Sequence, residues 1–201
     1  MNGWDIADPG IYNIQVAIKS GEEDIISNPL TIRVAPPRGY DEEFIAQDLF
    51  SDDVGRVLAL NGSRFLDIAN NTLREVVERL PQSRAAYHAR VAIGNPLSRD
   101  YKRLSLEKGK SFKILKKDVK GSIKNLGAAL VDNISEAVET LGHINYKNSV
   151  DSYCEFLSGE GSDDIAAKCQ GEMHKEFTKR KVLPSVLQQI RDVQKSYGTK
   201  R

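Results

Sequence analysis

The sequence predicts an α+β chain that is predominantly α, with a short N-terminal β-hairpin followed by a helical-hairpin array. Three observations carry that expectation. Apolar residues alternate with period two within the first 35 positions, Pro36-Pro37 closes that stretch, and from Asp41 onward apolar residues recur at spacings of three and four. The expected organisation is a hairpin unit over residues 1–35, a linker over 36–40 and a helical domain over 41–198.

Tyr12, Ile14, Val16 and Ile18 fall on one face of a strand over residues 11–18, and Leu30, Ile32 and Val34 repeat the alternation. Ser20-Gly21-Glu22-Glu23-Asp24 lies between them as a polar, turn-rich connection, so the runs read as antiparallel. The two prolines then disfavour both continued ladder bonding and a helix through that point.

Within this unit, Asp8-Pro9-Gly10-Ile11-Tyr12-Asn13-Ile14 resembles the D-x-G-x-Y-x-C stretch of immunoglobulin-like sandwiches. The resemblance covers residues 8–35 and implies a buried Tyr12 whose hydroxyl bonds to backbone just upstream. Ile14 stands where antibody domains place cysteine, so no inter-sheet disulfide is implied. A hairpin alone is marginal in water. The expectation is therefore that these are the last strands of a truncated sandwich in a larger exported or cell-surface protein, or that the hairpin packs on the helices.

Asp41-Glu42-Glu43 places acids in a first helical turn carrying Phe44, Ile45 and Leu49. Ser51-Asp52-Asp53 caps a second helix with Val54, Val57 and Leu58. A third opens near Ser63, its stripe running from Phe65 to Leu80, and a fourth spans Gln82 to Ile93 before Gly94-Asn95-Pro96. Ala85, Ala86, Tyr87, Ala89 and Gly94 resemble the small-residue pattern of tetratricopeptide repeats, although no second copy aligns at that period. Phe112, Leu115, Val119, Ile123, Leu126, Leu130, Ile134, Val138 and Leu141 predict one helix over 111–141, continuous or singly kinked. Three further helices carry Tyr146 to Leu157, then Ile165, Cys169, Met173 and Phe177, then Val186 to Tyr197 after Pro184.

The formal charge is +1, although 28% of residues are charged, so any preference for a polyanion must be local. No apolar run reaches the roughly 18 to 20 residues that span a bilayer, and Met1-Asn2-Gly3-Trp4-Asp5 lacks the basic start and apolar stretch of a signal peptide. An extracellular or periplasmic location follows only from the fragment reading.

Searching for chemistry yields no catalytic residue, no metal site and no cofactor motif: there is no G-x-S-x-G, P-loop or G-x-G-x-x-G, and His88, His143 and His174 are scattered. Cys154 and Cys169 lie on facing sides of a predicted helical hairpin at similar distances from its Ser158-to-Gly161 bend, which makes them a disulfide candidate; two buried thiols are the alternative. Lys108, Lys110, Lys113, Lys116, Lys117, Lys120 and Lys124 form a basic face opposed by Glu107 and Asp118. Such a face can bind anionic membrane or nucleic acid, or serve as the solvated side of a core helix. The function expected is a non-enzymatic protein-binding or scaffolding module. The alternatives are a membrane-surface or nucleic-acid binder acting through the basic face, and an enzyme whose site one sequence does not reveal.

Overall fold

In the computed structural model, which describes residues 6, 8–105, 109 and 111–198, nine α-helices and three two-stranded antiparallel ribbons occur among the described residues. The chain is thus α+β and predominantly α. Strand β1 (Gly10–Ile14) pairs with β4 (Leu30–Val34), Tyr12 facing Ile32, and β2 (Ala17–Ser20) pairs with β3 (Glu23–Ile26). The two ladders join into one ribbon, because the Val16 carbonyl accepts from the Ser27 N–H at 2.9 Å and the Val16 N–H donates to Ser27 Oγ at 2.9 Å. The first strand therefore breaks at Gln15-Val16 instead of running to Ile18. Glu23 and Asp24 belong to a strand, not to the connection, because Gly21-Glu22 already closes the turn.

Tyr12 donates its hydroxyl to the Asp8 carbonyl at 2.7 Å, and Gly10 lies under its ring, where an added Cβ would meet Cε2 at 3.4 Å. That is the bonding expected of D-x-G-x-Y. The ring itself is only half-buried, as are Ile14, Ile32 and Val34 on the same face.

Helices α1 (Tyr40–Leu49), α2 (Asp52–Ala59), α3 (Asp67–Arg79) and α4 (Arg84–Gly94) follow the linker. Helix α3 starts four residues later than the stripe predicts. Ser63 is held in the preceding loop, its hydroxyl accepting from Phe65 N–H at 3.1 Å and its carbonyl from Asn70 Nδ2 at 2.9 Å. A 3₁₀ turn over Asn95–Ser98 leads into β5 (Tyr101–Leu104), which pairs with β6 (Phe112–Leu115).

The single helix expected over 111–141 is corrected by three elements: β6, α5 (Val119–Leu130) and α6 (Ile134–Leu141). Asp118 and Asn133 decide this. Asp118 accepts from Gly121 N–H at 2.9 Å and Asn133 from Glu136 N–H at 3.3 Å, so each starts a new helix rather than continuing an old one. Leu126, Leu130, Val138 and Leu141 of the stripe are core, whereas Phe112 and Ile123 are exposed.

Helices α7 (His143–Gly159), α8 (Asp163–Lys179) and α9 (Pro184–Gly198) complete the chain. Ile165, expected on the inward face of α8, is exposed, and Ala166 takes the buried position beside Cys169, Gln170, Met173 and Phe177.

Two apolar cores result. One gathers Ile45, Val54, Val57, Leu73 and Val76 of α1–α3, and the other gathers Leu126, Leu130, Tyr146, Leu157, Met173, Phe177 and Ile190 of α5–α9. Helix α4 serves both, with Ala86, Ala89, Ala92 and Ile93 toward the first and Tyr87 and Val91 toward the second. Its end meets α5 closely. A Cβ on Gly94 would lie 2.7 Å from Leu126 Cγ, and the buried Ser122 donates its hydroxyl to the Gly94 carbonyl at 3.1 Å.

Candidate functional site

Where α4 runs into the 3₁₀ turn, the first helical layer faces the long α7 across a cleft of about 640 Å³. One wall carries Asn61, Asn95, Ser98 and Arg99, and the other carries Asn145, Asn148, Ser149 and Ser152, with Glu155 beyond. Leu60 and Phe156 supply apolar contact. The α7 residues recur at spacings of three and four, which puts them on one side of the helix. Asn61 is presented by a tight turn in which it adopts φ 55° and Gly62 φ 116°, and a Cβ on Gly62 would lie 2.3 Å from the Ala92 carbonyl oxygen. Glycine is required there by both conformation and space. The chemistry of this lining is that of neutral amides and hydroxyls, groups that donate and accept at once.

An apolar groove of about 540 Å³ lies where Ala35 and the linker residues Pro36 to Arg38 pass Ile45, Leu49, Val76 and Leu80.

The basic residues do not form one helical face. Lys113 lies on β6, Lys116 and Lys117 in the connection after it, and Lys120 and Lys124 on α5. Lys108 and Lys110 lie outside the described residues. Two of these cations are neutralised. Lys116 Nζ pairs with Asp100 at 2.9 Å, and Lys117 pairs with Glu160 while its N–H bonds to Asp100 at 2.8 Å. The Asp100 carboxyl is held below the usual range by the hydrogen bond from Lys116 and then by the Lys117 N–H.

Cys154 on α7 and Cys169 on α8 come together in the second core as buried free thiols, so the predicted proximity holds but the predicted disulfide is not formed. Cys154 donates to the Ala166 carbonyl at 3.4 Å, and its thiol is pushed up by the hydrogen bond with Cys169 and then by burial. Beside them the fully buried Gln170 donates to Asp151 at 2.8 Å, and Asp151 pairs with Lys147 at 2.7 Å. The Gln170 carbonyl oxygen has no partner among the described residues.

His143 packs against the Phe177 ring at 5.3 Å, and His88 and His174 sit on other helices. Among the described residues no cluster of histidine, cysteine or carboxylate side chains could hold a metal ion, and no helix is long and apolar enough to cross a membrane. Comparison with known protein families, curated proteins and solved structures finds no match.

Proposed function

We propose that the chain is a non-enzymatic protein-binding module that holds an extended segment of a partner protein in the cleft between the 3₁₀ turn and α7. The observation that carries this is the lining. Asn61 and Asn95 face Asn145, Asn148 and Ser152 with donors and acceptors on both walls, which matches the alternating N–H and C=O groups of a peptide backbone. The α7 wall from Asn145 to Phe156 runs about 16 Å, enough for roughly five extended residues. Arg99 and Glu155 supply opposite charges for side chains of the bound segment, and Leu60 and Phe156 supply apolar contact.

The test is selection of peptides from a displayed random library against the full chain, followed by affinity measurement on Asn148→Ala/Ser152→Ala. Loss of two hydrogen bonds should weaken selected peptides about tenfold. A library that yields no binder, or binders indifferent to that variant, defeats the proposal.

A further inference from the structure

We infer that the β5–β6 hairpin is a docking wedge for an anionic phospholipid surface, separate from the α7 cleft. Its register divides it into two unlike faces. Tyr101 opposes Leu115 and Arg103 opposes Lys113 on one side, while Lys102 opposes Ile114 and Leu104 opposes Phe112 on the other. The root of the first face is fixed to the helices. Tyr101 packs edge-on against Phe65 at 6.0 Å and accepts a hydrogen bond from Arg99 Nε at 2.8 Å, and Arg64 donates to the Lys116 carbonyl at 3.0 Å. The second face is open to solvent. Leu104 is 85% exposed, Phe112 47% and Ile114 45%, three apolar side chains in a row on a rigidly rooted ribbon. Lysines at the margins suffice to keep a ribbon from pairing with others, and they do not call for such a row.

The charge names the occupant. Lys102, Arg103 and Lys113 make no carboxylate contact among the described residues, and the two strands contain no acid. This contrasts with Lys116 and Lys117 at the root, which are neutralised. With a whole-chain charge of only +1, three cations that meet no carboxylate among the described residues are a local feature of these two strands. Nucleic acid would satisfy them but would leave Leu104 and Ile114 in water. A bilayer interface serves both needs when the ribbon enters it edge-on, taking Leu104, Phe112 and Ile114 at the acyl boundary while Lys102 on the same face and Arg103 and Lys113 on the other reach the phosphates. Lys102 already lies along this boundary, its ammonium 5.3 Å over the Phe112 ring.

The experiment is co-sedimentation of the full chain with vesicles of phosphatidylcholine alone and of phosphatidylcholine mixed with phosphatidylglycerol. Binding to the mixed vesicles only, weakening as salt rises, is expected. Arg103→Glu/Lys113→Glu should lower partitioning by roughly fivefold or more per cation removed. Leu104→Ser/Ile114→Ser, which alters exposed side chains and should melt like the parent, should lower it at least tenfold. Asn148→Ala/Ser152→Ala should partition like the parent, so the cleft reading and this one fail separately. Absence of sedimentation, equal binding to the neutral vesicles, or undiminished binding by Leu104→Ser/Ile114→Ser overturns the inference. The last outcome, together with equally undiminished binding of a single-stranded oligonucleotide, would assign the cations to nucleic acid.

Discussion

Gly94→Ala is the sharpest probe of the joint between the two helical layers. In an open helix the change would stabilise by about 0.5–1 kcal/mol, since alanine loses less backbone freedom on folding. Here the new methyl would stand 2.7 and 2.9 Å from two carbons of Leu126, a side chain too enclosed to swing aside. Overpacking of that kind costs about 1–3 kcal/mol, which leaves a net loss of about 1–2 kcal/mol, or roughly 3–6 °C in Tm for a domain of this size. Leu126→Ala alone should cost about 2–5 kcal/mol through its cavity. With Leu126 truncated, the nearest remaining atom is Asn125 Cβ at 3.2 Å, so Gly94→Ala should become neutral or slightly favourable. Denaturant titration of the four proteins in a double-mutant cycle should therefore show a coupling of about 1–2 kcal/mol. An equal cost for Gly94→Ala in both backgrounds would refute the close approach of α4 and α5.

Leu130→Ala should cost about 2–5 kcal/mol and Phe112→Ala less than about 1 kcal/mol, because the first lies in the core and the second on an exposed strand; equal losses in thermal melts would restore the single helix over 111–141. Neither cysteine should react with an alkylating reagent in the folded protein, and both should react after unfolding, as intact mass will report. The hydrogen bond between the two thiols raises Cys154 and lowers Cys169, so above the ordinary thiol value of about 8.5 the folded pair keeps one proton that the unfolded chain has lost, and stability should fall as pH rises through that range. Tyr153 and Tyr197, pushed up by burial to about 12, should extend that fall beyond about pH 10. Cys154→Ala/Cys169→Ala should flatten the lower part of the curve, measured by denaturation at several pH values.

The helices whose ends carry boundary residues were legible from sequence, although Ser51 makes no side-chain cap bond and Ser83 does. Ser51 before Asp52-Asp53, the Pro81-Gln82-Ser83 turn and the glycines around residue 160 punctuate them, and periodicity fills the interiors. The stretch over 111–141 misled because Phe112 and Leu115, three apart on a strand, fall by coincidence in phase with α5. Asn133 followed three residues later by Glu136 is a helix-start signal that the unbroken apolar stripe concealed. Alternation in Phe112-Lys113-Ile114 was the corresponding sign of β6. The cleft was legible only on one side. Asn145, Asn148, Ser149 and Ser152 form a stripe of amides and hydroxyls on a helix whose solvent side would ordinarily be charged. Asn61 and Asn95 join it through tertiary packing that no local pattern encodes.

The double duty of α4 bears on how the chain is made. As synthesis proceeds from the N-terminus, the residues through Gly94 can close the first core as soon as they emerge, since Ile45, Val57, Leu73, Val76 and Ala89 are all present. The opposite side of α4 stays uncovered until α5 and the helices after it follow, leaving Tyr87 and Val91 as an adhesive strip on an otherwise finished half. A nascent chain paused once Gly94 has cleared the ribosome would present that strip to its neighbours until the following helices emerge, at roughly 5–20 residues per second.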